Sequence, residues 1–291
     1  MPCFNPIKAY KDPEQGIIFD DRLGYNITLP CGQCVGCRLE RSRQWAVRIM
    51  HEASLYEDNC FITLTYNDEN CPQSLDYSVY QKFMKRLRRH FEPRNIRFYM
   101  CGEYGEENFR PHFHACIFNL DFADKYYWKT VRGNRIYRSP TLEMLWPYGF
   151  STIGALTFQS AAYVSRYVMK KITGRDAPDY YRRVDQETGE VTYLTPEFNK
   201  MSLKPGIGAA WFEKYQNDVY PNDYVIVNGY KAKPPRYYDK LLLKKSLPVA
   251  AEIETKRFEK AQKYVDNNTQ ERLKVREEVL KAKLKHLKRE I

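Results

Sequence analysis

The run Arg110-Pro111-His112-Phe113-His114-Ala115-Cys116-Ile117-Phe118 constrains this chain more than any other. Its length and apolar content predict a buried strand, and past Arg110 only its two histidines break the pattern. Strand side chains alternate between faces, so His112 and His114 point one way while Phe113, Ala115 and Ile117 point the other. The whole chain holds only 5 histidines, so two in such register count modestly against chance. Two imidazoles fixed side by side on a sheet form half of a metal site. The bland alternative is a pair of structural histidines with satisfied hydrogen bonds.

The segment from Ser160 to Gly174 weighs on that choice. With Ser160 as N-cap and Gly174 as stop, it predicts a helix of about four turns. Ala161, Val164, Val168 and Ile172 gather into one apolar stripe. Tyr163, Tyr167 and Lys170 fall roughly 180–240° away from Ala161. Tyrosines at helical spacing usually pack in a core, but here other residues already fill the stripe. Two phenols one turn apart, about 5–6 Å between Cβ atoms, beside a lysine, read as a reaction face.

Chemistry links the two motifs. A free phenol titrates near pH 10, so only about one in a thousand is ionised at neutral pH. It becomes a useful nucleophile when its target is polarised or its phenolate is stabilised. A divalent ion held by His112 and His114 can polarise a phosphate oxygen, and Lys170 can neutralise charge on the phosphate or the phenolate. Tyrosine attack on a DNA phosphodiester leaves a 5′-phosphotyrosine and a free 3′-OH. That linkage conserves bond energy for rejoining.

His-hydrophobic-His followed by Tyr-Val-x-x-Tyr-Val-x-Lys resembles the HUH endonucleases that initiate rolling-circle replication, in particular their two-tyrosine members. Cys60-Phe61-Ile62-Thr63-Leu64-Thr65-Tyr66 resembles the family's first strand motif, and the order of the three motifs fits. Relaxases, the other large branch, carry the nucleophile ahead of the histidines. The closer resemblance is to replication initiators of gokushovirus-like microviruses, which are single-stranded DNA phages. It extends to Pro30-Cys31-Gly32-Gln33-Cys34, to Met201–Gly208 and to Lys233–Lys240. It implies an HUH core in which Tyr163 and Tyr167 alternate as nucleophiles. It also implies a viral origin as substrate, host helicase and polymerase as partners, and work in the host (bacterial) cytoplasm.

Family members complete the metal site with a polar ligand from a neighbouring strand. Glu103 is the candidate, because 96–104 reads as a strand joined to the histidine strand by a short polar connection. Paired as a hairpin, the two strands can set Glu103 opposite His112. Glu106 and Glu107 are the runners-up, with solvated loop charges as their bland reading. Two histidines and a carboxylate suit Mg²⁺ or Mn²⁺. They also suit non-haem iron oxygenases, a rival class with no use for the charge described next.

Lysine and arginine number 47 against 36 acidic residues, a net charge of +11, which favours a polyanionic partner. Aromatics make up 15% of residues, with 24 tyrosines, enough for base-stacking platforms on single strands. Asp76 can cap a helix in which Tyr77, Tyr80, Phe83, Met84, Leu87 and Phe91 recur at core spacing. Lys82, Lys85, Arg86, Arg88 and Arg89 occupy its opposite face. Such a face is either simply solvated or, beside a nuclease site, in contact with phosphates. Lys82, Arg86 and Arg89, with Arg166 and Lys171 near the tyrosines, are the candidate DNA-binding residues. A DNA-binding or packaging protein without chemistry is the alternative from another class; it would need neither metal nor paired tyrosines.

No stretch is apolar enough to span a membrane, and the N-terminus lacks a signal-peptide apolar region. In a reducing compartment the 8 cysteines are not expected to form disulfides. Cys31, Cys34 and Cys37 stand at Cys-x-x-Cys-x-x-Cys spacing. With Cys3 they can hold a structural Zn²⁺, and buried free thiols are the alternative. Cys60, Cys71, Cys101 and Cys116 read as small core residues.

Residues 1–35 read as irregular and 36–57 as a helix, followed by strand 60–66, helix 76–91, strands 96–104 and 111–118, strand 150–157 and the tyrosine helix. This order predicts an α+β fold, an antiparallel sheet flanked by helices. Residues 174–247 carry little signal before 223–227. From about 249 a run rich in Glu, Lys, Arg, Ala and Leu predicts one or two helices. Leu273, Leu280, Leu284, Leu287 and Ile291 form a partial stripe there. The expected domains are a Cys-containing arm over 1–40, an HUH endonuclease domain over 41–245 and a charged helical extension over 246–291.

Overall fold

The computed structural model describes residues 3–105, 108–166, 177–185 and 187–286. The fold is α+β, with antiparallel sheets and flanking helices. It divides into two compact units, Met1–Arg43 with Leu242–Glu290, and Gln44–Leu241.

The N-terminal segment corrects the expectation of irregular chain. There β1 (Ile7–Asp12) pairs antiparallel with β2 (Gly16–Ile18) and with β3 (Ile27–Leu29). Only Ala9 of these strands is buried, so no apolar alternation marks them in the sequence. Helix α1 (Val35–Ala53) follows.

In the larger unit β4 (Asn59–Tyr66), β5 (Arg97–Tyr104), β6 (Pro111–Phe118), β7 (Tyr126–Val131), β8 (Asn134–Arg138) and β9 (Gly149–Gly154) join one antiparallel sheet. After the ribbon of β10 (Arg182–Val184) and β11 (Val191–Tyr193), β12 (Phe198–Met201) completes it. The strand order is β12-β5-β6-β4-β9-β8-β7. The hairpin β7–β8 and the edge strand β12 are absent from the sequence reading, and β9 is shorter than expected. Four residues of β12 bond to β5 across about a hundred positions of chain, and no local pattern reports such a pairing.

Period-two alternation gives the central strands two different faces. One carries Ile62, Leu64, Phe98, Met100, Phe113, Ala115 and Ile117, packed against α2 (Tyr77–His90) and α3 (Pro140–Leu145). Asp76 caps α2 by accepting from the Ser78 N–H at 2.7 Å, and Tyr80, Phe83, Met84 and Leu87 are buried as its spacing predicts. The other face carries Phe61, Tyr99, Cys101, Cys116 and Phe118, packed against Ala46, Ile49 and Ala53 of α1 and against Ala161 and Val164 of α4 (Phe158–Arg166). His112 and His114 share the parity of Cys116, so they belong to this second face. Cys60, Cys101 and Cys116 are core residues as expected, whereas Cys71 is only half-buried.

A buried ion pair ties the sheet to the chain beyond it. Glu52 of α1 accepts from Arg97 at 2.5 Å and from the Gly208 N–H at 2.7 Å, and Arg97 also donates to the Pro205 carbonyl at 2.7 Å. Removing one partner of such a pair costs about 3–5 kcal/mol, because the other charge is stranded. Gly208 has a φ of 79°, and a Cβ there would stand 2.7 Å from the Tyr238 hydroxyl. Helices α5 (Ala177–Tyr181), α6 (Ala209–Val219) and α7 (Arg236–Lys245) and the hairpin of β13 (Val225–Val227) and β14 (Tyr230–Ala232) fill the rest.

The C-terminal residues form two helices, α8 (Leu247–Gln262) and α9 (Gln270–His286). Leu273 is buried and Leu280 packs on the N-terminal cysteines. Leu287 and Ile291 lie outside the described residues. Among the described residues no helix is long and apolar enough to cross a membrane.

Candidate functional site

Sheet register assembles the histidine cluster. On the α1/α4 face, Thr65, His112 and Glu103 stand in one cross-strand row, with Thr63, His114 and Cys101 in the next. Glu103 therefore faces His112 directly and reaches His114 on the diagonal. One carboxylate oxygen, Glu103 Oε1, lies 2.7 Å from His112 Nε2 and 2.9 Å from His114 Nε2. Glu103 is only 2% exposed and His114 7%, so the cluster is sheltered from water. Glu106 and Glu107, the other candidate ligands, lie outside the described residues.

The opposite ring nitrogens explain why these atoms converge. His112 Nδ1 is 3.0 Å from the Arg110 carbonyl, which can only accept, so Nδ1 carries a proton. In the neutral ring Nε2 then offers a lone pair, aimed at another lone pair on Glu103. Two acceptors at that distance require either a proton on Nε2 or a metal ion between them. His114 Nδ1 is held by the Thr63 hydroxyl at 2.9 Å, an orienting contact of the kind that fixes metal-ligating imidazoles. Burial alone would raise the Glu103 carboxyl, but the hydrogen bonds from His112 and His114 outweigh it and hold the group below the ordinary carboxylate range. Neighbouring ligands of an octahedral ion at about 2.1 Å stand about 3 Å apart, close to the observed separations. The donor set can hold a divalent metal ion.

Helix α4 carries one candidate nucleophile to this cluster. Its cap is Thr157, not Ser160 as the sequence predicts. The Ser160 N–H donates to Thr157 Oγ1 at 3.2 Å, and the Thr157 N–H donates to Ser160 Oγ at 2.9 Å. This reciprocal capping box places Ser160 in the first turn. Ala161 and Val164 are buried against the sheet as the stripe predicts. Asn199 of β12 holds the helix by donating to the Val164 carbonyl at 3.2 Å. The half-buried Tyr163 ring stands edge-on to His114, with centroids 5.3 Å apart and planes at 82°. Tyr167, Val168, Lys170, Lys171, Ile172 and Gly174 lie outside the described residues.

The second cluster is all sulfur. The ligand atoms of Cys3, Cys31, Cys34 and Cys37 lie within 4.8 Å of one another. Cys34 Sγ and Cys3 Sγ are 4.0 Å apart. Sulfurs around a tetrahedral zinc stand about 3.8 Å apart, given bonds of about 2.3 Å, so the set fits that ion. Backbone N–H groups of Cys31, Phe4 and Cys34 donate to Cys3, Cys34 and Cys31 sulfurs at 3.2, 3.3 and 3.3 Å. Burial opposes ionisation of Cys34, yet the backbone N–H groups of Phe4 and Cys37 and the adjacent thiols draw its pKa down to about 7.

The basic residues divide. Lys82, Arg89 and Arg166 are exposed. Arg86 instead donates to the Leu145 carbonyl through Nε and Nη2 at 3.1 and 3.0 Å, which fastens α2 to the end of α3 rather than presenting a free cation. Thr63, Asn199 and the Glu52–Arg97 pair escaped the sequence reading, since each acts through a partner distant in the chain.

A family model described as replication-associated protein ORF2/G2P matches residues 59–172, the span from β4 through α4. Replication-associated protein VP4 of Bdellovibrio phage phiMH2K is 34% identical over 254 residues, covering 82% of this chain and 76% of the relative. Replication-associated protein ORF2 of Spiroplasma virus 4 is 36% identical over 233 residues, covering 74% and 68%. Replication-associated protein ORF4 of Chlamydia phage 1 is 29% identical over 244 residues, covering 80% and 58%. No solved structure matches the chain. The chain belongs to the family of replication-associated proteins of microvirus-like phages.

Proposed function

We propose that this protein initiates and terminates rolling-circle replication as a two-tyrosine HUH endonuclease and strand transferase. The observation that carries this reading is the convergence of Glu103, His112 and His114 on one point, with Tyr163 edge-on to His114 at 5.3 Å. Mg²⁺ or Mn²⁺ bound by these three residues would supply Lewis-acid polarisation of a phosphate oxygen. Glu103, His112 and His114 fix where the scissile phosphate sits. Arg110 and Thr63 hold the two rings in orientation.

The Tyr163 hydroxyl attacks phosphorus. The O–P bond to tyrosine forms as the P–O3′ bond breaks, the phenol proton passes to water, and the leaving 3′-oxygen takes a proton to end as a hydroxyl. Lys170 balances charge on the phosphate or phenolate. The released 3′-OH can reverse the step and rejoin the strand without ATP. Tyr167, one turn on in the expected helix, attacks the regenerated origin while Tyr163 still carries DNA. The single-stranded viral origin is the substrate. Host helicase and polymerase extend the 3′ end in the bacterial cytoplasm. Residues 41–245 form the endonuclease domain, 1–40 an arm pinned by a structural Zn²⁺ on the four cysteines, and 246–291 a helical extension.

The test incubates full-length protein with labelled single-stranded origin oligonucleotides and Mn²⁺ and reads a denaturing gel. Wild type is expected to form a covalent adduct. Tyr163→Phe and Tyr167→Phe should each retain some single cleavage yet fail in coupled cleavage and rejoining, and the double variant should form no adduct. An adduct on the double variant would reject tyrosine chemistry. Tight binding by wild type with no adduct would favour a non-catalytic DNA-binding protein.

A further inference from the structure

The hairpin β7–β8 has no role in the chemistry above, yet its construction is unusual. It joins the large sheet through a single bridging pair, Tyr137 with Ile153. Beyond that pair it continues as a two-stranded ribbon closed at Arg132-Gly133, both at positive φ, 49° and 83°, as a tight two-residue turn requires. Such ribbons are marginal alone in water.

Every residue of β7 is exposed. Tyr126 is 49% exposed, Tyr127 55% and Trp128 44%. Trp128 sits at a register shift between Tyr127 and Lys129, so it has no cross-strand partner, and such bulges re-aim a side chain. Its indole lies 4.0 Å from Lys129 Nζ and 5.6 Å from the Arg138 guanidinium carbon. At its base Asp121 pairs with Lys125 and Glu143 with Arg138. From Tyr126 to Tyr137 the chain carries Lys129, Arg132 and Arg135 and no carboxylate.

Broad aromatic faces set among cations, on a segment that carries no carboxylate of its own, match unpaired bases on a phosphate backbone. Duplex bases stack on one another and offer no free face to the rings. A protein partner matched to the rings alone would make no use of the positive charge. We infer that the β7–β8 hairpin is a single-strand arm, on which Tyr126 and Trp128 stack bases of the substrate strand while Lys129, Arg132 and Arg135 hold its phosphates. This inference rests on the nuclease reading, whose substrate it receives.

The test measures anisotropy of fluorescein-labelled oligo(dT) and of a blunt duplex of equal length with full-length protein at fixed salt. Tyr126→Ala/Trp128→Ala should weaken oligo(dT) binding by at least about tenfold while changing duplex binding less than about twofold. Trp128→Phe, which keeps a stacking face, should stay within about threefold of wild type. Unchanged melting of the variants separates lost binding from lost folding. Normal oligo(dT) binding by the double variant, or equal loss on duplex, overturns the arm. Adduct formation assayed on the same samples separates the two readings. Wild type that binds without forming adduct sinks the nuclease while the arm stands, and adduct with normal binding by the double variant sinks the arm alone.

Discussion

The two clusters of metal-competent side chains are built on opposite plans. Glu103, His112 and His114 are two strand neighbours and one cross-strand partner, placed by the pleat and register of a seven-stranded sheet. Cys31, Cys34 and Cys37 lie at and before the start of α1, and their fourth partner, Cys3, arrives from 28 residues upstream. Three nitrogen and oxygen donors on a rigid face would leave coordination positions for substrate, whereas four thiolates around a zinc would close a tetrahedron and leave none. The comparison teaches that donor number and scaffold together separate a site suited to chemistry from one suited to structure.

The sharpest way to break the comparison is to delete the histidine pair. His112→Ala/His114→Ala should lower oligonucleotide cleavage by about a thousandfold or more, with DNA affinity within about threefold of wild type because charge supplies most binding. Undiminished cleavage in a gel assay would show that the sheet cluster is not the reaction centre.

Next comes the sulfur cluster. About one equivalent of zinc should survive extensive dialysis of the purified protein and be lost from Cys31→Ser/Cys34→Ser/Cys37→Ser, as coupled metal binding and folding requires. Hydrogen exchange should then rise across Met1–Arg43 and Leu242–Glu290 while Gln44–Leu241 keeps its protection. Metal-free wild type with full protection would make these ordinary thiols.

The smallest effect sharpens the contrast from outside either cluster. His51 stacks on Trp211 at 3.6 Å and shares a 2.9 Å hydrogen bond with the Tyr238 hydroxyl. Burial pulls its pKa down to about 4. Unfolded, it titrates near 6.5, so between these values the unfolded chain binds the extra proton and stability falls as the pH falls. Gln44–Leu241 should lose about 2 kcal/mol between pH 7 and pH 5, measured by urea unfolding. An equal loss in His51→Gln would assign the acid response to other groups.

Much of the site was legible because its geometry is local. The alternation of His112 and His114, the stripe on α2 and the Asp76 cap depend on residues within a turn or two of one another. Cys-x-x-Cys-x-x-Cys was visible for the same reason. The exposed ribbon β7–β8 and the sheet β1–β3 went unread, since neither buries the apolar alternation that marks a strand. The sequence predicts Ser160 as the cap of α4, whereas Thr157, three residues earlier, offers the same hydroxyl chemistry and takes that place.

By itself the sequence determined which residues share a face of a strand or helix, since backbone periodicity fixes that without reference to the rest of the chain. Only the tertiary structure decided which faces meet. Glu103 joins His112 because β5 and β6 pair in one register, and a slip of one residue would turn its carboxylate to the α2 side. Glu52 and Arg97 find each other 45 residues apart, and Leu280 reaches the cysteines from near the far end of the chain. These meetings are set by burial and by the pairing of charges that cannot be left alone in a core. Those forces act on the folded chain as a whole and leave no periodic trace in it.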